Sequence, residues 1–203
     1  MIKVTNYEAK GSKAEFDVKG LDVKLLNAFR RTVMCGVPVM AMEKVTFYIN
    51  SSILNDEILA HRMGLVPLTT DLKTYVTRSE CTCKGKGCGK CTAWLTIDAV
   101  GPKTVYSEDV KSEKNPDIKP VHGKIPLVKL MADQKLKAEA EAVLGYGSEH
   151  VKWQPGVASY ELKEKDTFHV TVESYGPLAV DELIKTAFEV VDGKISQLKE
   201  KIG

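Results

Sequence analysis

Residues 21–34 read LDVKLLNAFRRTVM, and residues 37–50 continue VPVMAMEKVTFYIN. In the first stretch Leu21, Leu25, Ala28 and Phe29 recur at helical spacing. Leu26, Val33 and Met34 widen the apolar arc, with Arg30 and Arg31 at its margin. In the second stretch Val45, Phe47 and Ile49 alternate with polar neighbours, the period of a half-buried strand. Gly36 and Pro38 separate the two, so helix gives way to strand and the fold class reads as α+β. The helix carries more apolar surface than one side of a small core covers. Either it packs on a sheet of its own chain, or a second chain covers the remainder.

Upstream, Ile2 and Val4 alternate with polar residues, Gly11-Ser12 offers a turn, and Ala14, Phe16 and Val18 alternate with Glu15, Asp17 and Lys19. This predicts a hairpin. Downstream, SSILNDEILAHRMG predicts a short helix, capped at Ser52 or Asn55 and stopped at Gly64. WLTIDAV and TVYSEDV predict two strands around Gly101-Pro102. KSEKNPDIKP reads as a solvated loop, Asp133 to Leu144 as a helix closed by Gly145, and Phe168, Val170 and Val172 as a further strand. The chain closes with LAVDELIKTAFEVVDGKISQLKEKI, whose apolar residues Val180, Leu183, Ile184, Ala187, Phe188, Val191, Ile195, Leu198 and Ile202 keep three-and-four spacing. That is roughly 37 Å of helix at 1.5 Å per residue, and Gly193 weakens it by about 1 kcal/mol without ending the pattern. Its stripe is again wider than a two-residue seam.

The 203 residues suffice for one substantial domain or two small ones. Hydrophobic and charged contents of 43% and 28% are ordinary for a globular chain. A net charge of +2 argues against a protein whose main task is gripping nucleic acid. No run approaches the roughly 18 apolar residues of a membrane span, and the N-terminus lacks the apolar core of a signal peptide. A cytoplasmic location is expected.

Four of the five cysteines fall in CTCKGKGCGKC, as Cys81, Cys83, Cys88 and Cys91. The C-x-C, x4, C-x-x-C spacing lets paired thiolates bend onto one ion, and Gly85, Gly87 and Gly89 permit the tight backbone a knuckle needs. Four thiolates on Zn²⁺ leave a charge of −2, which Lys84, Lys86 and Lys90 are placed to offset. A closed set of four sulfurs makes such a site structural rather than catalytic. The same ligands suit an iron–sulfur cluster, and a disulfide or redox-active Cys88/Cys91 pair is the remaining reading. Cys35 stands apart as an inert thiol. The four histidines, His61, His122, His150 and His169, are scattered, and no nucleophile triad or phosphate-binding loop is present. Asp56 and Glu57 are expected at the first turn of a helix from its dipole alone.

Taken together, LLNAFRRTVMCGVPVMAMEKVTFYINSSILNDEILAHRMGLVPL closely resembles the signature of the D subunits of archaeal DNA-dependent RNA polymerase. That family is related to the eukaryotic third-largest polymerase subunit and to the N-terminal domain of the bacterial alpha subunit. The cysteine loop, HVKWQPGVASY and the terminal helix follow in the family's order, so the resemblance covers nearly the whole chain.

The resemblance implies two domains. A discontinuous dimerisation domain of a sheet plus two amphipathic helices would comprise 1–45 and 161–203. An inserted, mainly β domain would comprise 46–160 and carry the metal loop 80–92. It implies a non-catalytic assembly platform that pairs with subunit L, joins subunits N and P and the large catalytic subunits, and meets DNA only through the complex. Implied dimer-interface residues are Leu25, Leu26, Phe29, Arg30, Val33, Leu183, Ile184, Ala187, Phe188, Val191 and Ile195. Asn27, Arg31, Asp56, Glu57, His61 and Arg62 match the assembly surface, and Cys81, Cys83, Cys88 and Cys91 the zinc loop of eukaryotic relatives. Many family members carry a further ferredoxin-like domain with an iron–sulfur cluster. Here GVASYELKEKDTFHV runs straight through with no later cysteine, so no such cluster domain is expected, nor a tethered DNA-binding domain. A free-standing zinc-containing nucleic-acid binder and a redox or iron–sulfur protein are the competing readings.

Overall fold

Three glycine- or proline-marked breaks, at Gly11, at Gly36 to Pro38 and at Gly176-Pro177, divide the apolar patterns into the elements of the computed structural model, which describes residues 2–202. In chain order these are β1 (Lys3–Lys10), β2 (Lys13–Lys19), α1 (Val23–Cys35), β3 (Val39–Asn50), α2 (Asp56–Gly64), β4 (Ala93–Val100), β5 (Lys103–Tyr106), β6 (Lys111–Ser112), β7 (Pro126–Leu130), β8 (Lys135–Gly145), β9 (Gly156–Glu164), β10 (Thr167–Ser174) and α3 (Val180–Ile202). Single 3-10 turns lie at Ser107–Asp109 and Val151–Trp153. The chain divides into two compact units. One comprises 1–38, 146–150 and 154–203, and the other 39–145 and 151–153. The cuts expected at 45/46 and 160/161 fall within β3 and β9.

The first unit is a four-stranded antiparallel sheet in the order β1-β2-β10-β9, with α1 and α3. Alternation on β2 sends Ala14, Phe16 and Val18 into a core shared with Val170, Val172 and Ala158. Helix α1 starts where the Asp22 carboxylate accepts the Lys24 N–H at 2.7 Å, satisfying one of the free donors of the first turn. It buries Leu26, Phe29 and Val33, and α3 buries Val180, Leu183, Ile184 and Ala187. The Phe29 and Phe188 rings stack with centroids 4.2 Å apart. Each of these side chains larger than alanine contributes about 1.5–3 kcal/mol on burial.

The second unit is built on a sheet in the order β3-β8-β4-β6, with a two-stranded sheet of β5 and β7 and with α2. The stretch expected as a helix over 133–144 is instead the central strand β8, paired with β3 on one side and β4 on the other. Its KLKAEAEAVLG is rich in helix formers, yet it alternates from Lys135 to Ala142. Leu136, Ala138, Ala140 and Ala142 face the core, while Lys137, Glu139 and Glu141 occupy the other face. Two flanking strands supply the backbone partners that a helix would have supplied internally, and the period of two prevails over propensity. TVYSEDV is likewise shorter as a strand: β5 ends at Tyr106 and a 3-10 turn follows. The β7 strand, within a stretch given no element from sequence, pairs with β5. Gly145, at the end of β8, admits Trp153, because a Cβ there would run into the indole ring. The indole nitrogen donates to the Val143 carbonyl at 3.2 Å.

Candidate metal centre

The loop ahead of β4 is closed at its base by the Val76 N–H donating to the Lys90 carbonyl at 3.0 Å. Within it two tight turns form, one from the Lys84 N–H to the Cys81 carbonyl and one from the Cys91 N–H to the Cys88 carbonyl, both at 3.0 Å. Lys84, Gly85 and Gly87 have φ of 54°, 78° and 84°, left-handed backbone that glycine supplies at least cost. The turns aim both cysteine pairs at one point. Sγ of Cys81 lies 3.5 Å from that of Cys88, Cys83 lies 3.6 Å from Cys91, and Cys88 lies 4.0 Å from Cys91. All four sulfurs fall within 4.8 Å of one another.

A tetrahedral ion with bonds of about 2.3 Å to sulfur requires sulfurs about 3.8 Å apart. The three close separations bracket that value, so the donor set fits one tetrahedral, thiophilic ion. Cys81 and Cys91 are buried, and Cys83 and Cys88 are half-buried. The hydrogen bond from the Cys81 side chain, aided by the Cys91 side chain and the Gly87 N–H, lowers the Cys83 thiol to about 6. Cys81 shifts the other way, to about 12; burial and the neighbouring sulfurs outweigh the Cys83 N–H that favours its thiolate. Within the set, Cys83 is therefore the thiol that gives up its proton most readily. The exposed Lys84, Lys86 and Lys90 surround the loop with positive charge.

The loop is tied to the sheet by Arg78. Its Nη2 donates to Glu141 on the central strand β8 at 2.5 Å and to the Thr92 hydroxyl at 3.2 Å. Glu141 also faces Lys44 of β3 at 3.7 Å. Neither Arg78 nor Glu141 stands out in the sequence. They are 63 residues apart and no spacing links them.

The residues expected at a dimer interface divide in two. Leu26, Phe29, Val33, Leu183, Ile184 and Ala187 are buried by this chain's own elements. Leu25 and Phe188 are each 43% exposed, Arg30, Val191 and Ile195 are half-buried, and Val23, Leu198 and Ile202 add exposed apolar surface on the same two helices. Of the residues matched to an assembly surface, Asn27 accepts from Arg30 Nε at 3.2 Å and Arg31 is exposed. On α2, Asp56, Glu57, His61 and Arg62 are all exposed. Arg62 also staples α2 to β7 by donating to the carbonyls of Leu127 and Pro126 at 2.9 and 2.6 Å, and Asp56 accepts from Asn50 at 2.7 Å.

The family described as the RNA polymerase Rpb3/RpoA insert domain matches residues 47–171, which includes the cysteine loop. The DNA-directed RNA polymerase subunit Rpo3 of Methanosphaera stadtmanae is 38% identical over 195 residues, covering 91% of this chain and 70% of that protein. The chain belongs to the Rpo3 family of archaeal RNA polymerase subunits. The Rpo3 proteins of Methanosarcina acetivorans and Pyrococcus furiosus are 43% and 42% identical over 158 and 160 residues, or 77% and 79% of this chain. The matched stretch is 59% of the length of each of those two Rpo3 proteins. Among the described residues of this Rpo3 relative, no helix is long and apolar enough to cross a membrane.

Proposed function

We propose that this Rpo3-family chain is a non-catalytic, cytoplasmic assembly platform of an archaeal DNA-directed RNA polymerase, pairing through α1 and α3 with subunit L. The apolar surface left open on those helices carries the reading. After the chain has buried its own core, Val23, Leu25, Phe188, Leu198 and Ile202 are still exposed, between 43% and 77% each. Exposed apolar area of this kind on paired helices is what a partner helix covers, at about 25 cal/mol for each Å² removed from water. The unit holding both helices is the dimerisation domain in this reading, and the unit of 39–145 carries Asp56, Glu57 and His61 toward subunits N and P and the large catalytic subunits. DNA is met only through the assembled enzyme, in keeping with a net charge of +2.

The metal in this reading is zinc, held by Cys81, Cys83, Cys88 and Cys91 as a closed structural site. The mutual closeness of the sulfurs favours one ion over a multi-iron cluster. When bound, zinc supplies a cross-link between the two turns and no open coordination position.

Co-expression with subunit L tests the proposal. A stable one-to-one heterodimer on size exclusion, lost or weakened in Leu25→Glu, is expected. A well-behaved monomer that ignores subunit L overturns it.

A further inference from the structure

Beside the cysteine set lies a chain of polar side chains that are not themselves candidate ligands. Thr92 is 2% exposed. Its hydroxyl oxygen sits 3.2 Å from Arg78 Nη2 and 3.7 Å from Cys91 Sγ. The guanidinium has donors only, so the Thr92 oxygen accepts from it. The hydroxyl has a single proton, and with its oxygen engaged by Arg78 that proton is free to point at Cys91. Arg78 is itself fixed by Glu141, whose other oxygen faces Lys44. Cys91 Sγ also receives the Cys88 N–H at 3.4 Å. Gly87 closes the arrangement from above: a Cβ there would stand 3.4 Å from the Thr92 oxygen and 3.5 Å from Arg78 Nη2.

We infer that Arg78 and Thr92 are positioning residues for the metal site, Arg78 fixing the Thr92 hydroxyl so that it donates to the Cys91 thiolate. A hydrogen bond to a metal-bound thiolate lowers its electron donation to the ion, fixes the sulfur's direction and stabilises the anion against protonation. Such supporting contacts change metal affinity by about 10–100-fold when removed. The link also runs from the ligand to the central strand, Cys91 to Thr92 to Arg78 to Glu141, so the order of the loop is coupled to the sheet. Only the pair Cys91–Thr92 is adjacent in sequence.

The inference rests on the metal reading above, and the full chain tests both by different readouts. Zinc affinity is measured by competition with a chromophoric chelator, and the thiolate-to-cobalt absorption band is recorded on the Co²⁺-loaded chain. Thr92→Val keeps the shape and removes the hydroxyl. It is expected to weaken zinc binding about tenfold or more and to move the cobalt band to longer wavelength, while Thr92→Ser stays within about threefold with an unmoved band. Arg78→Met is expected to shift the band the same way, and the loss in Thr92→Val with Arg78→Met to be smaller than the sum of the two single losses. Equal affinity and an unmoved band in Thr92→Val, or full additivity of the two losses, overturns the inference. Should Thr92→Val fail to fold, the Arg78→Met band decides: a shift supports the link and an unmoved band refutes it. A wild-type chain that takes up neither ion fails the metal reading itself, and this inference with it.

Discussion

Asp17 shows how one residue departs from its pattern. By alternation it lies on the face of β2 opposite Phe16 and Val18, yet it is only 5% exposed. Asn6 Nδ2 donates to it at 2.8 Å, His169 Nδ1 lies 2.7 Å away, and Lys163 Nζ stands 3.2 Å from both carboxylate oxygens. The Asn6 and His169 hydrogen bonds, with Lys163 adding charge, hold its carboxyl at about 2, below the usual 3.8. A carboxylate depressed on folding contributes stability that is complete above the unfolded value. That contribution is lost as pH falls through the folded one. The wild-type unfolding temperature is therefore expected to drop between about pH 4 and pH 2, the window set by those two values. Asp17→Asn should start several degrees lower at neutral pH and show a shallower slope across that window, as thermal melts in a pH series would reveal. The alternation that puts Asp17 on the polar face is plain in the sequence. Its partners lie 11, 146 and 152 residues away and are not.

At the scale of elements, α1 separates two roles that helical spacing alone merges. Leu25 and Leu26 are neighbours in one apolar arc, but Leu25 is 43% exposed and Leu26 1%. Phe29, 1% exposed and stacked on Phe188, belongs to the chain's own core. Phe29→Ala is expected to cost about 3–5 kcal/mol in denaturant unfolding of the chain with or without a partner. Leu25→Glu should change that stability by no more than about 0.5 kcal/mol while impairing the pairing of the helices. A matching loss in both variants would erase the distinction between core and interface residues. The same scale explains the misreading of β8. Glu, Lys and Ala favour helix in isolation, and only the flanking β3 and β4 make the alternation of Ala138, Ala140 and Ala142 decisive.

For the whole molecule, the cysteine loop and the paired helices belong to different compact units, so disturbing one should spare the other. Stripping the metal with a chelator, or replacing Cys88 with Ser, is expected to open residues 80–92 to limited proteolysis and to lower zinc content by elemental analysis. The proposed pairing with subunit L should persist, because no cysteine of the set lies in the unit of α1 and α3. Loss of the heterodimer together with the metal would contradict this separation. By itself the sequence determined the features whose partners lie within a few residues. These are the C-x-C and C-x-x-C pairs with their glycines, the β1–β2 hairpin, the helices α1 and α3 and the family motifs around them. The tertiary structure alone decided that 135–145 is a strand, which half of each apolar stripe is already covered, and that Arg78 reaches Glu141. The physical reason is range: short spacing constrains a backbone directly, whereas strand pairing, burial and long-range ion pairs depend on what the rest of the chain brings alongside.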